Sequence, residues 1–241
     1  MLLVRSFIFT FLLFASAILL SGMELLFFWA PLRVKWGIAV TWARFSLWAG
    51  RVFCGLDVST EGNEHIPAEP CVFLIKHTTA MEAYWQIAAL PPSAWVLKRE
   101  LLWVPVFGWA LGFVMKSIAV DRRASGSAVK QVIEQGKQKI AAGMSVCIFP
   151  EGTRMPPGET KRYGISGAAL AKEAGCLVVP VAHNAGDFWP KRGLRKYPGK
   201  IRFCIGPPID ASGQSPKDTN RLAQQWVENK MGEISRLYTA A

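Results

Sequence analysis

Histidine is scarce in this chain: 241 residues contain three, so any imidazole chemistry is confined to His65, His77 and His183. Acid is in short supply as well. Seventeen Asp and Glu face 28 Lys and Arg, a formal net charge of +11. That imbalance favours an anionic partner, whether nucleic acid, a phosphorylated metabolite or anionic lipid. Charged residues reach only 19% while apolar ones make up 51%, which excludes a disordered chain. Most of the length is still too polar for a polytopic channel. The five cysteines (Cys54, Cys71, Cys147, Cys176 and Cys204) include no CxxC pair and no metal-ligand spacing. Cys71, Cys147 and Cys204 lie in apolar, strand-like runs and read as reduced core residues. There is no internal repeat, low-complexity stretch or linker. Tryptophan is abundant, with ten residues, and it concentrates at membrane–water interfaces. The balance therefore tilts toward lipid.

The N-terminus carries that theme further. Ser6 to Met23 is free of charge, at the ~18-residue threshold for a membrane-spanning helix. Ala15-Ser16-Ala17 resembles a signal-peptide cleavage site, but strong apolar sequence runs on past it. A spanning helix and a helix that enters one leaflet and returns near Pro31 both fit. The re-entrant form is preferred, because Glu24 and Arg44 interrupt the two apolar stretches. A second helix is expected over Val34 to Gly50. Arg33, Arg44 and Arg51, separated by 11 and 7 residues, fall on nearly one helical line. With Trp36, Trp42 and Trp48 around it, this stripe suits a helix in the membrane interface; a soluble amphipathic helix packed on the body is the alternative. The basic excess after the first apolar run places the rest of the chain in the cytoplasm, at the inner membrane. Residues 1–52 are thus expected to anchor and residues 53–241 to form one domain with a sizeable core.

In that domain short apolar runs alternate with helical patterns. Strands are expected over 71–76, 94–97, 117–120, 145–149, 176–182 and 200–205. Helices are expected over 81–90, 124–142, 165–174 and 219–238, with Gly143 and Gly175 as stops. The alternation predicts an α/β domain with a mostly parallel central sheet flanked by helices. In such sheets sites form beyond the carboxyl ends of strands. Attention therefore falls on the residues just after Lys76, Phe149 and Ala182.

His77 directly succeeds the first of these strands, in Lys76-His77-Thr78-Thr79-Ala80-Met81-Glu82. A helix turns about 140° net over five residues, so His77 and Glu82 meet only if His77 stays in the loop. Glu82 would then take the proton of one ring nitrogen and leave the other to act as a base. The same residues also spell a capping box, in which Glu82 bonds the Thr79 N–H; both readings stand. Phe149-Pro150-Glu151-Gly152-Thr153-Arg154 comes at the end of another strand. It combines a glycine for close approach, a hydroxyl and a guanidinium fork for phosphate, though a surface turn would read the same way. His65 sits in a polar turn. His183 can approach the site or serve the core. The basic run from Lys191 to Arg202 reads as a solvated loop or as a contact for anionic lipid or an acidic carrier.

Together, HTTAME and the later FPEGTR resemble the glycerolipid acyltransferase family of 1-acylglycerol-3-phosphate acyltransferases. Weaker blocks match in order: Leu97-Lys98-Arg99-Glu100-Leu101, Pro105, Gly108-Trp109 and Ala119-Val120-Asp121-Arg122, then Val178-Val179-Pro180-Val181. The family usually has Asn before the histidine and Asp as the acid, where this chain has Lys76 and Glu82. Lys76 is expected to put a cation beside the site, lowering the pKa of His77 or helping to bind phosphate. The resemblance implies acyl transfer from acyl-CoA or acyl-ACP to the free hydroxyl of lysophosphatidate, giving phosphatidate. It makes His77 the base and Glu82 its partner. Arg154 holds the phosphate, with Lys98 and Arg122 next, while Glu151, Gly152 and Thr153 belong to the same pocket. No metal or cofactor is implied. Glycerol-3-phosphate or another lysophospholipid is the alternative acceptor, and hydrolysis of the thioester the alternative reaction. Nucleic acid is not expected, because no basic helix or aromatic strand of the usual modules is present.

Overall fold

A computed structural model describes residues 1–121, 125–191 and 193–238. Arg122, one of the expected phosphate ligands, and Arg192 of the basic run lie outside the described residues. Seven strands form one path: β1 (Leu56–Glu61), β7 (Gly199–Ile205), β6 (Leu177–His183), β2 (Val72–Ile75), β5 (Ser145–Ile148), β3 (Ser93–Lys98) and β4 (Ile118–Val120). A short β8 (Ile209–Asp210) pairs with β6. All neighbours are parallel except β6 with β7 and β8, so the sheet is mostly parallel. The central strand β2, Val-Phe-Leu-Ile, is buried throughout, as a strand covered on both faces must be.

Alternate side chains feed two cores. Phe73, Ile75, Cys147 and Val181 pack toward α1 (Leu2–Leu26), α2 (Leu32–Cys54) and α3 (Met81–Ala89). Val72, Leu74, Val146 and Val178 pack toward α5 (Ser125–Ala141), α6 (Ser166–Ala174) and α7 (Pro216–Ile234). A helical turn, α4 (Phe107–Trp109), continues into a wider turn over Ala110–Val114. Helix α6 passes so close to the sheet that a Cβ on Gly167 would sit 2.6 Å from a Leu74 methyl.

The N-terminal helices form an antiparallel pair laid along the body. Helix α1 is long and apolar enough to cross a membrane, about 37 Å at 1.5 Å per residue. One stripe of it, Ser6, Phe9, Leu13, Ala17, Ser21 and Glu24, is buried, partly against α2 and partly against the domain. Near its start, Ser6 Oγ accepts from Lys196 N (2.9 Å), and Phe9 meets the edge of Trp189. The buried Lys196 ammonium donates to Thr10 and lies 4.8 Å from the Trp189 ring centroid. Helix α2 packs on the domain, with Trp36 stacked on Trp95, and turns Arg33, Arg44 and Arg51 outward. The packed amphipathic helix and the outward basic stripe therefore coexist.

Besides the short β8 and α4, which the sequence did not suggest, three elements differ from expectation. Helix α2 runs to Cys54, where Gly55 stops it in the left-handed conformation (φ 67°). Strand β1 was not foreseen because it is an edge strand of alternating polarity, with Asp57, Ser59 and Glu61 facing out. The last helix ends at Ile234 rather than Tyr238: the Ser235 hydroxyl bonds Asp187 (2.7 Å), as does the Arg236 N–H (2.8 Å), which turns the chain away.

Candidate active site

Strands β2, β3, β5 and β6 run in one direction. The segments leaving their carboxyl ends therefore collect at one edge of the sheet. His77 leaves β2, the Pro150–Arg154 loop leaves β5, Lys98 closes β3 and His183 closes β6.

The backbone of His77 ties the two motifs together. Its N–H donates to Glu151 Oε2 (3.0 Å), and its carbonyl accepts from the Met155 N–H (2.7 Å). The ring of Phe149 stacks on the imidazole at a centroid distance of 4.1 Å. With backbone and ring both held, the imidazole has little freedom left except at its outer edge.

Glu82 is fully buried at the first turn of α3 and does two jobs. Its Oε1 accepts from His77 Nδ1 (2.8 Å) and from the backbone N–H groups of Thr78 (2.7 Å) and Thr79 (2.8 Å). Its Oε2 accepts from the Thr79 hydroxyl. The capping contact and the His77 contact are thus made by one carboxylate and do not compete. Burial alone would raise this carboxyl. The imidazoles of His183 and His77 and the Thr79 hydroxyl outweigh burial and hold it at about 2. An ionised acceptor on Nδ1 fixes the proton there and leaves the Nε2 lone pair free. The His77 side chain keeps 18% of its surface exposed, whereas that of Glu82 is fully buried.

His183 lies beneath this pair. Its Nε2 donates to the Lys76 carbonyl (2.7 Å), and its Nδ1 accepts from the Ala185 N–H (3.3 Å). Burial lowers its pKa against the upward pull of Glu82, whose Oε2 lies 3.9 Å from Nε2. Both of its ring nitrogens are engaged, so it supports the pair from below.

The expectation for Lys76 is corrected. Its side chain is entirely buried and faces away from the imidazole edge. The ammonium donates to Glu151 Oε1 (2.8 Å), Glu228 Oε1 (3.0 Å) and the Glu159 carbonyl (3.0 Å), and lies 2.9 Å from the Tyr238 hydroxyl. The reason is strand geometry: neighbours along β2 point to opposite faces. Ile75 and His77 share the α3 side, while Leu74 and Lys76 face α6 and α7. The alternation was available in the sequence. The acid partners Glu151 and Glu228 were not, because they are distant in the chain.

Glu151 accordingly sits inside the domain, bridging Lys76 and the His77 N–H; burial pushes its carboxyl up while Lys76 pulls it down. Gly152 turns the chain in the left-handed region (φ 71°), which glycine alone adopts without cost. Thr153 and Arg154 are then exposed. Neither Arg154 nor Lys98 makes an ion pair among the described residues. Thr78, given no role by the sequence, buries a hydroxyl that has no partner among the described residues, beside the His77–Glu82 pair. His65 is tied to the Ile205 carbonyl (2.8 Å), away from this edge. The five cysteines are free thiols. Burial raises Cys71 to about 12, and Cys147 higher still, so neither is a ready nucleophile. Among the described residues no group of three His, Cys, Asp or Glu is gathered as a metal site.

An imidazole held in this way can accept a proton from a hydroxyl, and Arg154 is exposed on the neighbouring loop. The family model "Acyltransferase" matches residues 57–184. A 1-acyl-sn-glycerol-3-phosphate acyltransferase of Pseudomonas aeruginosa is 44% identical over 239 residues, covering 96% of this chain and 92% of the relative. The alpha form from Mus musculus is 28% identical over 200 residues, covering 80% and 68%. The crystal structure of the 1-acyl-sn-glycerophosphate (LPA) acyltransferase PlsC from Thermotoga maritima superposes with a TM-score of 0.81 at 22% identity, covering 96% and 95%. That last likeness speaks for the fold, and the sequence matches speak for descent: this chain belongs to the acyltransferase family.

Proposed function

We propose that the enzyme transfers an acyl group from an acyl-CoA or acyl-ACP thioester to the free hydroxyl of lysophosphatidate, giving phosphatidate. The observation that carries this reading is the His77–Glu82 pair, laced through the His77 backbone to the loop that ends in the exposed Arg154. The thioester is already activated, so the poor reactant is the alcohol. His77 Nε2 takes the hydroxyl proton as the alcohol oxygen attacks the thioester carbonyl. Glu82 stabilises the imidazolium that forms and holds the ring in place. As the tetrahedral intermediate collapses, the carbon–sulfur bond breaks and the imidazolium returns its proton to the departing thiolate.

Arg154 binds the acceptor's phosphate through its fork, on the turn formed by Glu151, Gly152 and Thr153. Lys98 and Arg122 add positive charge by family resemblance. The phosphate clamp favours transfer over hydrolysis, because water needs no such ligand. Helices α1 and α2 hold the enzyme on the cytoplasmic face of the inner membrane, where acceptor and product reside. The α1 stripe buried on the domain favours the one-leaflet arrangement over a free span.

The test is a purified-enzyme assay with acyl-CoA and acyl-ACP in turn, across lysophosphatidate, glycerol-3-phosphate and a zwitterionic lysophospholipid. Phosphatidate from lysophosphatidate is the expected product. Predominant free fatty acid, or faster acylation of either other acceptor, refutes the assignment.

A further inference from the structure

The segment between β3 and β4 exposes more aromatic surface than a soluble turn needs. Trp103 is 75% and Phe113 76% exposed, and Leu101, Val104 and Trp109 are exposed beside them. Scattered apolar residues on a surface are ordinary, but a contiguous group marks an interaction site. This group is rigid: a Cβ on Gly108 would fall 2.3 Å from the Leu101 carbonyl oxygen, so the chain doubles back tightly on itself. The two non-glycine residues with positive φ among those described, Val106 (64°) and Lys116 (50°), lie within it and just after it. A β-branched residue is costly in that conformation, and such strain persists only where the surroundings enforce it.

Its position says what covers it. A narrow apolar cleft of about 40 Å³ separates Leu20, Ser21 and Glu24 of α1 from Phe107, Ala110 and Leu111. The knob is therefore clasped to the second half of α1. The outer face of α1 is itself apolar and exposed, from Phe7, Phe11 and Phe14 to Leu26, with Phe28 and Trp29 beyond it. Exposed charges flank the knob, Lys98, Arg99 and Glu100 before it and Lys116 after it, three cations to one acid. Aromatic residues bracketed by Lys and Arg are the pattern of an interfacial element, with rings among the acyl chains and cations at the headgroups.

We propose that Leu101–Phe113 is a second membrane-inserted element, seated in the same leaflet as α1. It draws the carboxyl edge of the sheet, with His77, down to the lipid surface, so that the acceptor enters sideways from the bilayer. The proposal rests on the membrane association of α1 and extends it to a part of the catalytic domain.

The full chain, carrying Cys176→Ser and one added cysteine, is labelled with a nitroxide in vesicles of phosphatidylethanolamine and phosphatidylglycerol. The four other native cysteines are buried. Labels at Trp103→Cys, Phe113→Cys and Phe11→Cys are expected to collide with dissolved oxygen more than with a water-soluble nickel chelate. A label at Lys217→Cys, on the far face, is expected to show the reverse. If Phe11→Cys is in lipid while Trp103→Cys and Phe113→Cys are in water, the knob is not inserted and the proposal falls alone. If Phe11→Cys is also in water, the membrane reading of α1 falls with it. Mutual broadening of the knob labels, with exclusion of both relaxants, would make the surface an interface between copies and likewise overturn the proposal. As a second readout, Trp103→Glu with Phe113→Glu should raise KM for vesicle-borne lysophosphatidate at least ~10-fold. It should leave turnover of a short-chain, monomerically dissolved acceptor unchanged. An equal rise with both acceptors refutes lateral entry.

Discussion

Replacing Glu82 with glutamine separates the two jobs of that carboxylate. The amide is a near-isostere of the protonated acid, so Glu82→Gln approximates the neutral state at every pH. The native carboxyl is held at about 2 against 4.5 when unfolded. At ~1.36 kcal/mol per pKa unit that difference is on the order of 3 kcal/mol of stability at neutral pH. The depression sets the sign: the contribution is complete above 4.5 and fades as pH falls toward 2. Glu82→Gln should therefore be less stable than wild type by about 3 kcal/mol at pH 7 and by about 1 kcal/mol near pH 3. Other carboxylates cancel in the comparison. Denaturant unfolding in detergent at several pH values reads the gap, and a gap independent of pH refutes the charged, buried carboxylate. Turnover should fall by ~10²–10⁴-fold, because the imidazolium loses its counter-charge. Glu82→Asp keeps the charge and should recover much of that loss. If Glu82→Gln loses stability but keeps turnover, the residue is a helix cap and His77 is not oriented by it. His77→Ala combined with Glu82→Gln should be no slower than His77→Ala alone, since the two act as one unit.

The same geometry fixes three further outcomes. Arg154→Ala should raise the acceptor KM roughly ten- to hundredfold, the value of one charged hydrogen bond, and leave the donor KM near wild type in steady-state kinetics; equal effects on both substrates refute the phosphate clamp. Lys76→Met strands the buried Glu151 carboxylate and should cost ~3–5 kcal/mol, whereas Lys76→Met with Glu151→Gln should cost clearly less; a denaturant-unfolding cycle tests this, and simple additivity refutes it. Phe9→Ala should destabilise the whole domain by about 3–5 kcal/mol, because Phe9 is fully buried against Trp189; an unchanged unfolding midpoint in detergent would mean that α1 projects freely from the body.

Much of this molecule was legible because its signals are local. Val72–Ile75 reads as a buried strand on composition alone, and the strands after it alternate with helices of ordinary length. His77 and Glu82 lie in one loop and the helix that starts from it, so a short window contains both. What stayed hidden depends on residues distant in sequence. Strand β1 has an ordinary alternating pattern, but nothing nearby reveals β7, its partner across the fold. His183 reads as a histidine after a strand until β6 is placed beside β2, which puts its Nε2 against the Lys76 carbonyl.

Lys76 shows why neighbourhood in sequence misleads at such a site. It is next to His77 in the chain but not in surroundings: His77 is partly exposed at the sheet edge, while Lys76 is sealed inside. Its charge is balanced by Glu151 from the FPEGTR loop and Glu228 from α7. A buried ion pair is weak ground for a claim about stability, since apolar replacements often do as well, but it can fix a register. Here Glu151 holds Lys76 with one oxygen and the His77 N–H with the other. If the FPEGTR loop slipped by one residue, a buried ammonium and a backbone donor would both lose an acceptor. Such a slip would also carry Arg154 away from the imidazole. The buried pair therefore sets the spacing between His77 and Arg154, the proposed base and phosphate ligand, so that geometry at the surface is specified by charge in the interior.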